Sequence, residues 1–169
     1  MTNLRQRGRR YLSTIGRFFL LVLIAPLLLV LLLLIVVLVA VYLLYGLVLQ
    51  VAIWWFWCRK GRDVLIVYSE SPIWRDYVEK RILPTIGDRA VVLNWSERRQ
   101  WQRTLAVLAF RFFGGTREFN PMAVVFRPLH NARCFRFYKP FREFKHGDTS
   151  AVSALESGLF RMLGVGPPR

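Results

Sequence analysis

Ser69, Glu70, Ser71 and Trp74 are the residues whose types and spacing could do chemistry. They lie between an apolar run, 64–68, and a helical repeat of Trp74, Tyr77, Val78 and Ile82. Two hydroxyls and a carboxylate at such a junction could hold a polar ligand or offer a nucleophile. A serine nucleophile needs a base within hydrogen-bond reach. His130 and His146 are the only histidines, and neither has a spacing that argues for a triad. A loop and a capping hydroxyl are also what any strand-to-helix junction needs. The cluster therefore reads as a candidate binding loop, with no catalytic residue assigned. Asp76 and Glu79 share the helix with Arg75 and Lys80, which suits a solvated face better than an acid–base pair.

Thiol and metal chemistry are poorly supplied. Cys58 and Cys134 are the only cysteines, with no CxxC and no zinc-ligand spacing to either histidine. No Gly-rich phosphate loop follows a strand, because Gly114-Gly115 comes after a helical pattern and reads as its stop. No cofactor is expected.

The charge is strongly basic, +15 overall. Arg5, Arg7, Arg9, Arg10 and Arg17 precede a forty-residue run, Phe18 to Trp57, that contains no charged side chain. All ten acids follow it, against twenty Lys and Arg. Forty helical residues would be about 60 Å long, twice a hydrocarbon core of about 30 Å. One expectation is a helical hairpin, 18–36 out and 39–57 back. Positive flanks on both sides, the second being Arg59, Lys60 and Arg62, then put both ends in the cytoplasm. The alternative is one span, 18–41, with Tyr42 to Trp57 lying in the far interface and the soluble domain outside. The hairpin is preferred on length and flanks, although 34–41 offers no Gly, Pro or Asn to turn the chain. The expected location is the plasma or inner membrane, with the soluble domain cytoplasmic.

After a basic linker, 58–62, the pattern predicts a small α/β domain over 63–164 and a loose tail, 165–169. Strands are expected at 64–68, 89–94, 122–126 and 133–138. One helix opens at Ser71-Pro72 and closes at Pro84 and Gly87. A second is capped by Ser96 and carries Trp101, Leu105, Leu108 and Phe112 on one face. A third follows Thr149, with Gly164 as its stop. Residues 140–147 read as irregular. The order is β-α-β-α-β-β-α, with the first strand pair parallel and the last antiparallel.

That order resembles the thioredoxin-like fold. The loop Ser69-Glu70-Ser71-Pro72-Ile73-Trp74 opens the first helix, Asn120-Pro121 immediately precedes the third strand, and a hairpin and helix close the chain. The resemblance implies that Pro121 is cis and faces the first helix. It also implies redox cysteines where that helix begins, and here there are none, so the implied relative is redox-inactive. Asn120 and Pro121 accordingly join the candidate loop. A second candidate surface is cationic: Arg59, Lys60, Arg62, Arg136, Lys139, Arg142 and Lys145. It includes a stretch, 133–145, that interleaves five aromatics with five cations, a pattern suited to anionic headgroups.

These residues lead to an expectation of a membrane-anchored, non-catalytic binding or scaffolding protein. The competing reading is a membrane-tethered enzyme using the Ser69–Trp74 loop opposite Pro121. The expected partners are the bilayer, an unidentified protein and a second copy through the anchor. Nucleic acid is disfavoured, since the arginines are scattered and no binding motif appears.

Overall fold

The structure, a computed structural model, describes residues 2–115, 120–144 and 149–166. Lys145 and His146 lie outside the described residues, as do 167–169 of the tail.

The chain divides into two compact units, Met1–Tyr45 and Gly46–Arg169. The second begins twelve residues before the composition boundary at Cys58. One helix, α1 (Thr2–Phe56), runs through the apolar segment except for its last residue, Trp57, and Pro26 lies inside it. The hairpin is not formed. Residues 34–41 are all aliphatic and helical, so nothing there breaks the backbone hydrogen bonding. The cytoplasmic placement that followed from a hairpin loses its basis. Among the described residues one helix, Ile24–Lys60, is long and apolar enough to cross a membrane.

In the first unit, every described side chain from Ile24 to Tyr45 is exposed. In the second unit the same helix is striped. Gly46, Leu49 and Ile53 are buried, spaced three and four apart, and Ile53 is fully enclosed. Leu47, Val48, Val51, Trp55 and Phe56 remain exposed between them.

The second unit is built on a four-stranded sheet in the order β2-β1-β3-β4. β1 (Val64–Tyr68) and β2 (Ala90–Asn94) are parallel, whereas β3 (Met122–Val125) is antiparallel to β1 and β4 (Arg133–Arg136) antiparallel to β3. Alternation divides each inner strand between two cores. Val64 and Ile66 join Ala123 and Val125 on one face, and Leu65 and Val67 join Met122 and Val124 on the other. Helices cover both faces, which is why β1 and β3 are apolar throughout.

The first face is covered by α2 (Pro72–Tyr77), a π turn (Val78–Ile82), α3 (Leu83–Ile86) and the last helix, α6 (Ser150–Leu163). Pro84 does not end this helix as expected. It lacks an N–H and would crowd the carbonyl four residues back, and the wider π turn immediately before it accommodates both defects. The second face is covered by Leu49 and Ile53 of α1 and by α4 (Leu105–Phe113). Burying Leu49 and Ile53 contributes on the order of 2 kcal/mol each.

Two helix expectations are corrected. α4 starts at Leu105, not Ser96, because Thr104 Oγ1 accepts from Val107 N–H and supplies the cap. Ser96 instead belongs to a tight turn in which Asn94 Oδ1 accepts its N–H. Trp101 still reaches the core, and its Nε1–H donates to Asn94 O at 3.0 Å. Secondly, 138–144 is helical: α5 (Tyr138–Phe144) buries Phe141 one turn after buried Phe137, and Pro140 falls in the first turn, where its missing N–H costs little.

Candidate functional site

Strand register places the candidate loop. Tyr68 pairs with Asn94, and Val67 pairs with Met122, so the Ser69 loop, Asn94 and Pro121 gather at one end of the sheet. This is the Tyr68 end. The opposite, Val64 end carries Ala90, Val125 and Arg133.

At the Tyr68 end, polar groups of the two strand-to-helix loops bind each other. Glu70 N–H donates to Ser96 Oγ at 3.1 Å, and Asn94 Nδ2 donates to Glu70 Oε1 at 2.9 Å and to Glu97 Oε1 at 3.0 Å. Asn94, Ser96 and Glu97 thus belong to this cluster. Their position after the second strand was the sequence signal for it. Ser71 is the N-cap residue of α2, but its hydroxyl makes no capping bond, and Pro72 at the first helical position removes one donor that a cap would serve.

Trp74 points away from that network. Its ring lies 4.4 Å from the centroid of Phe141 and stacks on Tyr138 at 6.3 Å. Phe141 also lines a cleft of about 480 Å³, together with Ile73, Tyr77 and charged Asp76, Lys80 and Arg81. Pro121 is linked to the same segment, since its carbonyl accepts Phe137 N–H at 3.0 Å. The Asn120–Pro121 bond is cis. Asn120 Oδ1 is buried without a hydrogen-bond partner among the described residues.

Two tyrosine–carboxylate–arginine groups brace the α2 side. Tyr68 Oη donates to Glu79 Oε1 at 2.9 Å, and Arg75 Nε contacts both Glu79 oxygens. Burial first, then this carboxylate, pushes the Tyr68 hydroxyl up to about 12, and the Tyr68 and Arg75 donors hold Glu79 below the usual carboxylate range. Glu156 on α6 is buried, accepting from Arg81 Nε at 2.7 Å and from Tyr77 Oη at 3.3 Å. Both carboxylates, Glu79 and Glu156, are engaged with a tyrosine and an arginine donor.

Among the described residues, no histidine lies beside Ser69 or Ser71. His130 lies in the β3–β4 turn at the Val64 end, a strand's length from Ser69 and Ser71. Its Nδ1 is bonded to Pro128 O at 2.9 Å. Both cysteines are free, and burial pushes the Cys134 thiol up, away from thiolate reactivity.

The candidate cationic surface divides between the two ends. Arg59, Lys60 and Arg62 precede β1 at the Val64 end, and the Arg59 guanidinium lies 4.3 Å from the Trp55 ring centroid. Arg136 ends β4 at the other end, where its Nη2 donates to Gly114 O at 3.2 Å. Lys139 and Arg142 follow it on α5. These cations do not form one continuous patch. No family model, no curated protein and no solved structure matches this chain.

Proposed function

We propose that this chain is a membrane-anchored binding or scaffolding protein whose small α/β domain is thioredoxin-like in topology and redox-inactive. The observation that carries the anchor is the change of pattern along α1. Phe18 to Tyr45 is 28 residues, about 42 Å of helix, enough for one tilted crossing of a core about 30 Å thick. Leu49 and Ile53 then pack into the second unit's own core, which a removable leader would not do. A single crossing puts the two positive flanks on opposite faces of the bilayer.

The topology reading is supported by parallel β1/β2, the antiparallel β3/β4 hairpin, the closing α6 and Pro121 at the start of β3. Binding rather than catalysis is supported by the Tyr68 end, where loop carboxylates are bonded to Asn94, while Trp74 packs on Phe141, which with Tyr77 lines a neighbouring cleft. An aromatic floor with a few charged groups suits a protein segment or a small ligand.

Alkaline carbonate extraction of membranes carrying the full chain tests the anchor. The protein is expected to stay with the bilayer, and release into the soluble fraction rejects the reading. A photo-crosslinker at exposed Ile73 tests the cleft: a specific adduct should form in membranes and be lost in Trp74→Ala. An adduct unchanged by Trp74→Ala counts against binding at this site.

A further inference from the structure

A second cavity, at the Val64 end, is chemically distinct. It has a volume of about 600 Å³ and lies between the edge strand β4 and α6. Three arginines line it: Arg127 just after β3, Arg133 at the start of β4 and Arg161 near the end of α6. All three are exposed, and none has an ion-pair partner among the described residues. Among the described residues no carboxylate lines the cavity. Three like charges gathered without a counter-charge repel one another, and an anion entering the cavity relieves that repulsion. Guanidinium groups match phosphate oxygens with paired N–H donors.

The remaining walls define what the anion is attached to. His130 and Asn131 of the β3–β4 turn add polar groups. The His130 Nδ1–H is committed to Pro128 O, which fixes the ring and leaves Nε2 available. Phe135, two residues after Arg133 and on the same strand face, and Met162 give an apolar side. Gly158, one turn before Arg161 and Met162, keeps the α6 wall open. The volume exceeds what inorganic phosphate fills and lies in the range of small-molecule sites.

The geometry points to a site for an organic phosphate monoester, with its phosphoryl group held by Arg127, Arg133 and Arg161 and its apolar part against Phe135 and Met162. The ester is either a soluble metabolite or the headgroup of an anionic lipid. The site stands on the cavity alone and does not require the membrane reading.

The test uses the full chain in phosphatidylcholine nanodiscs. Phenyl phosphate and inorganic phosphate are titrated by calorimetry, and separate nanodiscs containing phosphatidic acid are scored for lipid co-purifying in native mass spectrometry. Binding of phenyl phosphate, tighter than inorganic phosphate, supports a soluble ester. Enrichment of phosphatidic acid over phosphatidylcholine supports a headgroup. Arg133→Gln and Arg161→Gln should each weaken whichever ligand binds by about tenfold. Gly158→Leu, which favours the helix while filling the cavity, should block it with the thermal transition retained. Arg99→Gln with Arg103→Gln, exposed and outside the cavity, should leave affinity unchanged. The proposal is overturned if the wild-type chain binds neither ester source. It is also overturned if the Arg99/Arg103 variant loses as much affinity as the cavity variants, or if Gly158→Leu binds like wild type.

Discussion

The two parts of the apolar run on α1, before and after Gly46, are alike in their lack of charge and opposite in burial. Up to Tyr45 every described residue from Ile24 onward is exposed, in a stretch of Leu, Val and Ile. From Gly46 the helix keeps the same apolar character, yet Gly46, Leu49 and Ile53 form a buried stripe. Lipid and protein core accept the same side chains, so hydropathy does not distinguish them. Spacing and shape do: one face of the second part is narrow enough at Gly46 to admit Phe112, whose Cε1 would lie 2.6 Å from any added Cβ.

Substitutions along the helix should separate the two parts. The largest effect is expected for Ile53→Ala, which empties a fully enclosed site and should destabilise the second unit by about 3 kcal/mol. Leu32→Ala in the first part should change the same unfolding free energy by less than about 0.5 kcal/mol. Denaturant titration of the detergent-solubilised chain, monitored by tryptophan fluorescence, compares them. Leu32→Asp should act on membrane insertion instead, by about 3 kcal/mol at mid-bilayer, read from the inserted fraction in microsomes.

Gly46→Ala is the intermediate case. Crowding Phe112 costs about 2 kcal/mol, offset by about 1 kcal/mol of helix propensity, so a net loss near 1 kcal/mol is expected in the same titration. The smallest effect belongs to Val48→Ser. Val48 is exposed on the second part, and its replacement should leave the midpoint within error. A loss equal to that of Ile53→Ala would erase the stripe.

The first three strands were legible because each is a short, mainly aliphatic run between turn signals. Val64–Tyr68 has the expected bounds, and the antiparallel partner of Met122–Val125 falls where a hairpin was expected. The helix starts were less legible. Ser96 and Thr104 are both good caps, and Trp101 fits the helical repeat, so sequence favoured the earlier start. Asn94 decides the matter by binding Ser96 N–H and the Trp101 indole. α5 was hidden because Pro140 reads as a breaker unless it falls in a first turn.

The candidate site shows the same division. The grouping of Ser69–Ser71 with Pro121 follows from strand order, which sequence can supply. The scattering of the cations does not. Arg136 and Arg133 are three residues apart, yet one contacts Gly114 O and the other faces the α6 cavity. Alternation along β4 puts them on opposite faces, and the pairing of the strands and the helices over them decides what each face meets. The division of the apolar run was also concealed, although Gly46, Leu49, Gln50, Ile53 and Trp57 repeat at helical spacing.

The most direct test of the dual role of α1 compares two truncated chains in mild detergent, one starting at Gly46 and one at Cys58, by thermal unfolding. The chain from Gly46 should unfold in a single cooperative transition, and the chain from Cys58, lacking Leu49 and Ile53, should show none. Equal, cooperative transitions in both would contradict the assignment of 46–57 to the domain core.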